Sequence, residues 1–206
     1  MFEERKERAL ARLRADEGKK GRVDEEVVEI IGRLNSLKDF FTTSSCSGRI
    51  VLLRVPEVGA KREAVFLGKW HRAVTKEEVL AVLKRSAVGT AEKVGTAEKG
   101  EVWLLSQSPI LHVACRTLGK AKALLAAANE SGFKYSGIKT ISNSNDNGKV
   151  VVEIVSTERI DVPLAEGGVL FCSDPHLDFI VSKANFTLAR GKAKLKRFYS
   201  GLKMLE

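Results

Sequence analysis

Long apolar runs are missing from this 206-residue chain. No window approaches ~20 uninterrupted apolar residues, so no membrane-spanning helix is expected. The opening stretch, MFEERKERALARLRADEG, is charged throughout and holds no apolar run of secretory type. Export is therefore not expected, and a cytoplasmic placement is. Cysteine is scarce as well. Cys46, Cys115 and Cys172 stand far apart and are odd in number, with no C-x-x-C pair and no cluster of His with Cys. That argues against a disulfide framework or a structural zinc site, and for reduced thiols with no metal. Also absent are a G-x-G-x-x-G opening a helix after a strand, a Walker phosphate loop, H-E-x-x-H and H-x-E…P-C-x-x-C. Dinucleotide chemistry, NTP hydrolysis and zinc deamination have no motif behind them.

What is present is an ordinary globular composition, 44% apolar and 30% charged, which excludes disorder for most of the chain. Lys plus Arg number 35 against 26 Asp plus Glu, a net charge of +9. An anionic partner, nucleic acid first, and a basic surface that binds nothing both fit that number. The charge is unevenly placed. No acidic residue occurs from Phe179 to Leu205, a stretch holding Lys183, Arg190, Lys192, Lys194, Lys196, Arg197 and Lys203. Asp174 as cap and Pro175 as first residue open a long helix there, and Leu177, Ile180, Val181, Ala184, Leu188, Leu195, Phe198 and Leu202 recur at helical spacing. One face then meets a core and the other shows basic groups to solvent. A second basic cluster, Arg5 to Arg22, is diluted by acids; it starts as a helix and becomes a loop around Gly18–Gly21.

Between these ends strands and helices alternate. Asp24 caps a helix through Leu34, Thr75–Glu78 is a capping box, and Thr117–Ser131 is a helix stopped by Gly132. Strands are expected at Arg49–Arg54, Glu63–Leu67, Val102–Leu105, Ile110–Cys115, Ser136–Ile141, Lys149–Val155, Ile160–Leu164 and Val169–Cys172. Turns are expected at Pro56–Gly59 and Ser142–Gly148, and the tandem GTAEKV/GTAEKG over 89–100 reads as an exposed loop or hairpin tip. No linker divides the chain. The pattern predicts an α+β fold, a single domain over 1–206, with mixed β-sheets packed with helices, a long basic C-terminal helix and no Rossmann methyltransferase fingerprint.

Four segments stand out chemically. The run Phe40–Arg49 (FFTTSSCSGR) reads as a hydroxyl-rich loop before a strand, with flexible Gly48 and the guanidinium of Arg49. It is either an anion-holding loop or a Ser/Thr turn that bonds its own backbone. Its Cys46 has no His or acid near it in sequence, and its two phenylalanines read as core anchors. In Ile110–Arg116, alternation puts Ile110, His112 and Ala114 on one strand face; His112 is a structural histidine or a proton acceptor. Arg116 follows at the strand-to-helix junction, a place for a ligand contact or an ion pair. Gly132–Ile138 brings Ser136 and Gly137, whose backbone can approach a ligand, and Tyr135, which can stack on a base; an ordinary connection fits too. Gly68–Arg72 carries Trp70 and His71 after a strand, where Trp70 is a core edge or a stacking platform.

Taken in order, KGRVDEEVVE (20–29), FFTTSSCSGRI (40–50), ILHVACRTL (110–118) and SGFKYSGI (131–138) resemble the tRNA wybutosine-synthesizing protein 3 family, as do VPL at 162–164 and RFY at 197–199. The likeness runs from about residue 16 to residue 202. It implies an S-adenosylmethionine-dependent methyltransferase acting on N4 of the aminocarboxypropyl-bearing, demethylated wyosine base next to the anticodon of tRNA-Phe. DNA and membranes are not expected partners. Such a transfer needs alignment of nucleophile and donor more than a covalent intermediate. On that implication His112 and Asp24 are candidate bases. Ser44, Ser45, Cys46, Ser47, Gly48, Arg49, Ser136 and Gly137 are candidates for holding the donor. Trp70, His71, Arg116, Tyr135, Lys192, Lys194, Lys196 and Arg197 are candidates for the base and the anticodon stem-loop backbone. The alternative is a non-catalytic module that binds the same stem-loop. The chain departs from the family pattern at Ser106–Ser108, which lacks an acid before Pro109, and at the 89–100 repeat.

Overall fold

A computed structural model describes residues 2–19, 24–56, 63–86, 100–142 and 149–205. The tandem repeat (Gly100 excepted), Lys20 and Arg22, and most of the turns expected at 56–59 and 142–148 lie outside the described residues. The elements, in chain order, are helix α1 (Phe2–Lys19), α2 (Glu25–Ser36), strands β1 (Phe40–Cys46), β2 (Arg49–Val55) and β3 (Val65–Trp70), α3 (Lys76–Arg85), β4 (Glu101–Gln107), β5 (Ile110–Cys115), α4 (Leu118–Glu130), β6 (Gly137–Ile141), β7 (Val150–Val155), β8 (Ile160–Glu166), β9 (Val169–Leu170) and α5 (Asp174–Gly201), closed by a 3-10 turn over Leu202–Leu205. The α+β class and the long C-terminal helix are as expected. The chain divides into two compact units. Met1–Ser47, Ser108–Thr157 and Gly191–Glu206 make the first; Gly48–Gln107 and Glu158–Arg190 make the second.

The first unit is built on a four-stranded sheet in the order β1-β5-β7-β6. Its hydrogen-bonded pairs are antiparallel rather than mixed. The reason lies in the connection: α4 carries the chain from β5 to β6, and β7 lies between them, antiparallel to both. Alternation along β5 sends Leu111, Val113 and Cys115 into a core with Val27, Ile30 and Leu34 of α2, Leu124 and Ala128 of α4, and Leu195 and Phe198 of α5. Each fully buried Leu or Phe there contributes ~1.5–3 kcal/mol. On the other face Phe41 and Ala114 meet Phe2 of α1. Phe40 and Phe41 are thus the core anchors expected, 0% and 2% exposed. Gly132 ends α4 with a φ of 96°, a conformation that a Cβ disfavours.

The expected hydroxyl-rich loop is instead most of a strand. β1 lies at the sheet edge, where its polar side chains keep water on one side, and it pairs with β5 throughout. A register shift between Thr42 and Ser44 marks a bulge at Thr43. Without the extra residue, Thr43 would stand opposite His112; with it, Ser44 does.

The second unit holds a five-stranded sheet, β3-β2-β4-β8-β9, again antiparallel in every described pair. Ile50, Leu52, Leu104 and Leu164 pack with Val79 and Leu83 of α3 and with Leu177, Ile180, Val181, Ala184 and Leu188 of α5. The apolar stripe read from the helix sequence is therefore buried as expected. Thr75 forms its capping box with Glu78. The Asn185 amide clamps the Val74 backbone, receiving from its N–H at 2.9 Å and donating to its carbonyl at 2.8 Å. α5 starts one residue earlier than expected: Ser173 precedes it and accepts from the Leu177 N–H, with Asp174 already helical. Among the described residues no helix is long and apolar enough to cross a membrane.

Candidate functional site

Across the first unit's sheet, four residues stand in one row, one from each strand. Ser44 of β1 is opposite His112 of β5, His112 is opposite Glu153 of β7, and Glu153 is opposite Gly137 of β6. Directly opposed residues share a face, so the row's side chains lie together. Ser44 Oγ is 2.8 Å from His112 Nδ1, and His112 Nε2 is 3.1 Å from Glu153 Oε1. The second oxygen of Glu153 takes Lys139 Nζ at 2.7 Å. A carboxylate only accepts, so the imidazole proton belongs on Nε2, and Nδ1 is left to accept from the Ser44 hydroxyl. At the far end Gly137 has open space where a Cβ would be. His112 keeps 29% of its side chain exposed and Glu153 16%, while Ser44 is open to solvent. Leu111, Val113 and Cys115 on the reverse face hold the row from below. Burial pushes the Cys115 thiol up to about 12, which removes it as a nucleophile.

The remaining candidates are distributed around this row and in the second unit. Asp24 precedes α2 but does not cap it; its Oδ2 receives the Ser47 N–H at 2.9 Å and the Ser47 hydroxyl at 3.1 Å. That fixes the end of β1 and spends Ser47, fully buried, on the fold. Ser45 and Cys46 are half-buried in β1, and the Cys46 sulfur is within 4.8 Å of the Asp24 carboxylate. Ser136 is likewise engaged: it donates to the Phe133 carbonyl at 2.7 Å and accepts from the Val155 N–H at 3.2 Å. Tyr135, 71% exposed, is free to stack.

Arg116 is held by the fold. Its Nε donates to Asp39 Oδ1 at 2.7 Å, its Nη2 meets Glu3, and its guanidinium lies 4.5 Å from the Phe2 ring centroid. Lys120 Nζ adds a second cation 3.2 Å from Asp39 Oδ2. Of the C-terminal cations, Lys196 and Arg197 are exposed, Lys192 pairs with Glu26, and Lys194 is buried at 7% exposure beside Gly132. Lys192 and Lys196 line a hollow of about 320 Å³ whose other side carries Glu25, Glu26 and Glu29.

In the second unit, Gly48 adopts a φ of 93° just before Arg49. Arg49 Nε donates to Gln107 Oε1 at 2.7 Å and its guanidinium lies 5.5 Å from the Phe66 centroid. Among the described residues its Nη atoms take no acceptor, so their outward edge fits a carboxylate or phosphate in two-point geometry. Trp70 closes β3 and packs partly on the core, its ring lying where a Cβ on Gly68 would stand 2.3 Å from Cη2. His71 follows it, half-buried.

Comparison with known proteins decides the family. The profile described as Methyltransferase TYW3 matches residues 4–204. The chain belongs to this methyltransferase family. The chain is thus an enzyme of the methyltransferase class, which sets aside the non-catalytic module. A TYW3 relative from Thermococcus kodakarensis, 44% identical over all of this chain and 96% of its own, is named tRNA(Phe) 7-((3-amino-3-carboxypropyl)-4-demethylwyosine(37)-N(4))-methyltransferase 1. A relative from Archaeoglobus fulgidus with the same activity in its name is 41% identical over all of this chain and 95% of its own. Among solved structures, the PH1069 protein from Pyrococcus horikoshii matches with a TM-score of 0.84 at 44% identity, covering 98% of this chain and 95% of that one. A hypothetical protein from Aeropyrum pernix matches at 0.72 and 31% identity, over 88% of this chain and 98% of its own. A methyltransferase requires a methyl donor, and the TYW3 relatives act on tRNA(Phe).

Sequence reasoning singled out Ser44, His112 and Gly137 but not Glu153 or Lys139. The available signal was a lone acid in the otherwise apolar run VVVEIV, two residues from Val151 and Val155 on the same strand face.

Proposed function

We propose that the protein transfers a methyl group from S-adenosylmethionine to N4 of 7-(3-amino-3-carboxypropyl)-4-demethylwyosine, next to the anticodon of tRNA-Phe. The observation that carries this reading is the 44% identity, over the whole chain, to a relative named for that reaction. The bound donor supplies a methyl group on a positively charged sulfur, open to in-line attack. The chain's own residues then have two tasks, alignment and proton removal.

The row from Ser44 to Glu153 suits proton removal. N4 of the tricyclic base gives up its proton as it gains the methyl group. The Ser44 hydroxyl, exposed at the end of the row, accepts that proton and passes its own to Nδ1 of His112. The imidazolium so formed lies 3.1 Å from the carboxylate of Glu153, whose charge stabilises it. No bond to Ser44 is needed, because the nucleophile is the substrate nitrogen. The open space at Gly137 and the exposed ring of Tyr135 lie at the opposite end of the row, about 14 Å away across three strand spacings, and suit a neighbouring nucleotide rather than the reacting base. The outward edge of Arg49 suits the donor's carboxylate or a substrate phosphate, and Lys196 and Arg197 suit the stem-loop backbone. Asp24, its Oδ2 held by Ser47, serves to position β1 rather than to take the proton.

The reading also covers the whole chain as one functional domain over 1–206. The family match runs through both compact units, and the backbone passes from one unit to the other four times. A tRNA-modifying role favours a cytoplasmic location.

The test is transfer of radiolabelled methyl from S-adenosylmethionine to tRNA-Phe carrying the demethylated base. His112→Ala is expected to lose ~10²–10⁴ in kcat with retained folding and donor binding. Absence of transfer by the wild-type protein on authentic precursor tRNA overturns the reading.

A further inference from the structure

The second unit carries an exposed feature that the row does not use. On α5, Phe179, Lys183, Phe186 and Arg190 follow each other at spacings of four, three and four. With about 3.6 residues per turn these fall on one line of the helix, opposite the buried Ile180, Val181, Ala184 and Leu188. Both phenylalanines are 59% exposed. Two aligned phenylalanine rings in water forgo most of the ~1.5–3 kcal/mol that burial of each would give. Each ring lies under a cation: Lys183 Nζ is 5.1 Å from the Phe179 centroid, and the Arg190 guanidinium is 5.6 Å from that of Phe186. Ring and cation thus alternate along ~16 Å of helix.

The charge around the line is one-sided. From Phe179 onward α5 holds no acid. Among the described residues the acid paired with the line is Glu158, whose Oε1 is 3.6 Å from Arg190 Nε; it is buried while Arg190 remains 59% exposed. Asp178 lies off the line, in the hollow with Lys76 and Ser182. The C-terminal half of α5 differs, since there three glutamates of α2 face Lys192 and Lys196. An apolar protein partner would meet cations between the rings. A polyanion with flat apolar faces meets both at once.

We infer that this stripe is a docking face for unpaired nucleotides of the tRNA, with bases stacked on Phe179 and Phe186 and phosphates against Lys183 and Arg190. The inference rests on the reading that the substrate is a tRNA, and it deepens that reading with a second point of contact.

The experiment measures binding of a tRNA-Phe transcript over a salt series, alongside methyl transfer on the precursor tRNA. Phe179→Ala/Phe186→Ala is expected to weaken binding about tenfold or more with the salt slope unchanged. Lys183→Gln/Arg190→Gln is expected to lower the slope of log K against log salt by about two phosphate contacts' worth. Phe171→Ala, which removes an exposed ring outside the stripe, serves as control and leaves both unchanged. Because all four stripe side chains are exposed, melting temperatures should hold. Binding within twofold of wild type in both double variants overturns the inference. So does an oligomer that the Phe variant converts to monomers with tRNA affinity intact, since the face then joins copies of the chain. Should the wild-type protein bind tRNA through the stripe yet transfer no methyl group to the precursor, the proposed reaction falls and the docking face stands.

Discussion

Glu153 acts through its neighbours. It takes Lys139 on one oxygen and His112 on the other, and so sets both the ring orientation and the tautomer of the histidine. Glu153→Gln is therefore expected to lower kcat about tenfold while leaving the KM for tRNA within twofold and the melting temperature near wild type. A role confined to stability would move the melting temperature and leave kcat of the folded fraction unchanged. Steady-state kinetics beside thermal unfolding separates the two. His112 was legible in the sequence because a histidine interrupts an apolar alternation. Ser44 was legible only as one hydroxyl among several, since composition does not reveal which of them faces the histidine. Lys194 and Arg116 show the limit on the charged side. Lys194 read as a solvent-facing cation, yet it is buried beside Gly132; Arg116 left a ligand contact and an ion pair open, and it is paired with Asp39 and Glu3.

At the scale of elements, local signals survived best. The box at Thr75–Glu78, the glycine stop at Gly132 and the buried stripe of α5 each depend on residues a few positions apart. β1 was misread because its strand character comes from pairing with β5, about 70 residues away, and because the bulge at Thr43 breaks its alternation. The same α3 box supplies a pH prediction. Arg72 holds the Glu78 carboxylate at 2.6 and 3.1 Å, and with the Thr75 N–H it lowers that acid from 4.5 to about 2. A carboxyl more acidic in the folded than in the unfolded chain stabilises the fold above the unfolded value. That contribution fades as pH falls from about 4.5 to about 2. Arg72→Gln should therefore shrink the loss of stability across that window, as followed by urea unfolding at successive pH values. The carboxylate is exposed, so the effect is small and salt-sensitive.

For the whole molecule, the net charge of +9 first suggested only some anionic partner. The structure sorts the cations into those already answered by acids or burial and those still facing water. Lys196→Gln/Arg197→Gln should weaken tRNA binding and flatten its salt dependence by up to about two contacts, as read in filter binding at graded salt. Lys194→Gln should instead lower the melting temperature with little change in that slope. The class of fold was legible because alternating strand and helix patterns are local. The division into two units was not, because it depends on which distant segments share a core. Unit one draws its core from three separate stretches of chain, and unit two from two. During synthesis, then, neither core can be completed early. The second waits for Leu177 to Leu188 and the first for Leu195, Phe198 and Leu202, all on α5 and the 3-10 turn that follows it. Such far-separated contacts make for slow folding, because both cores stay open until α5 has been made.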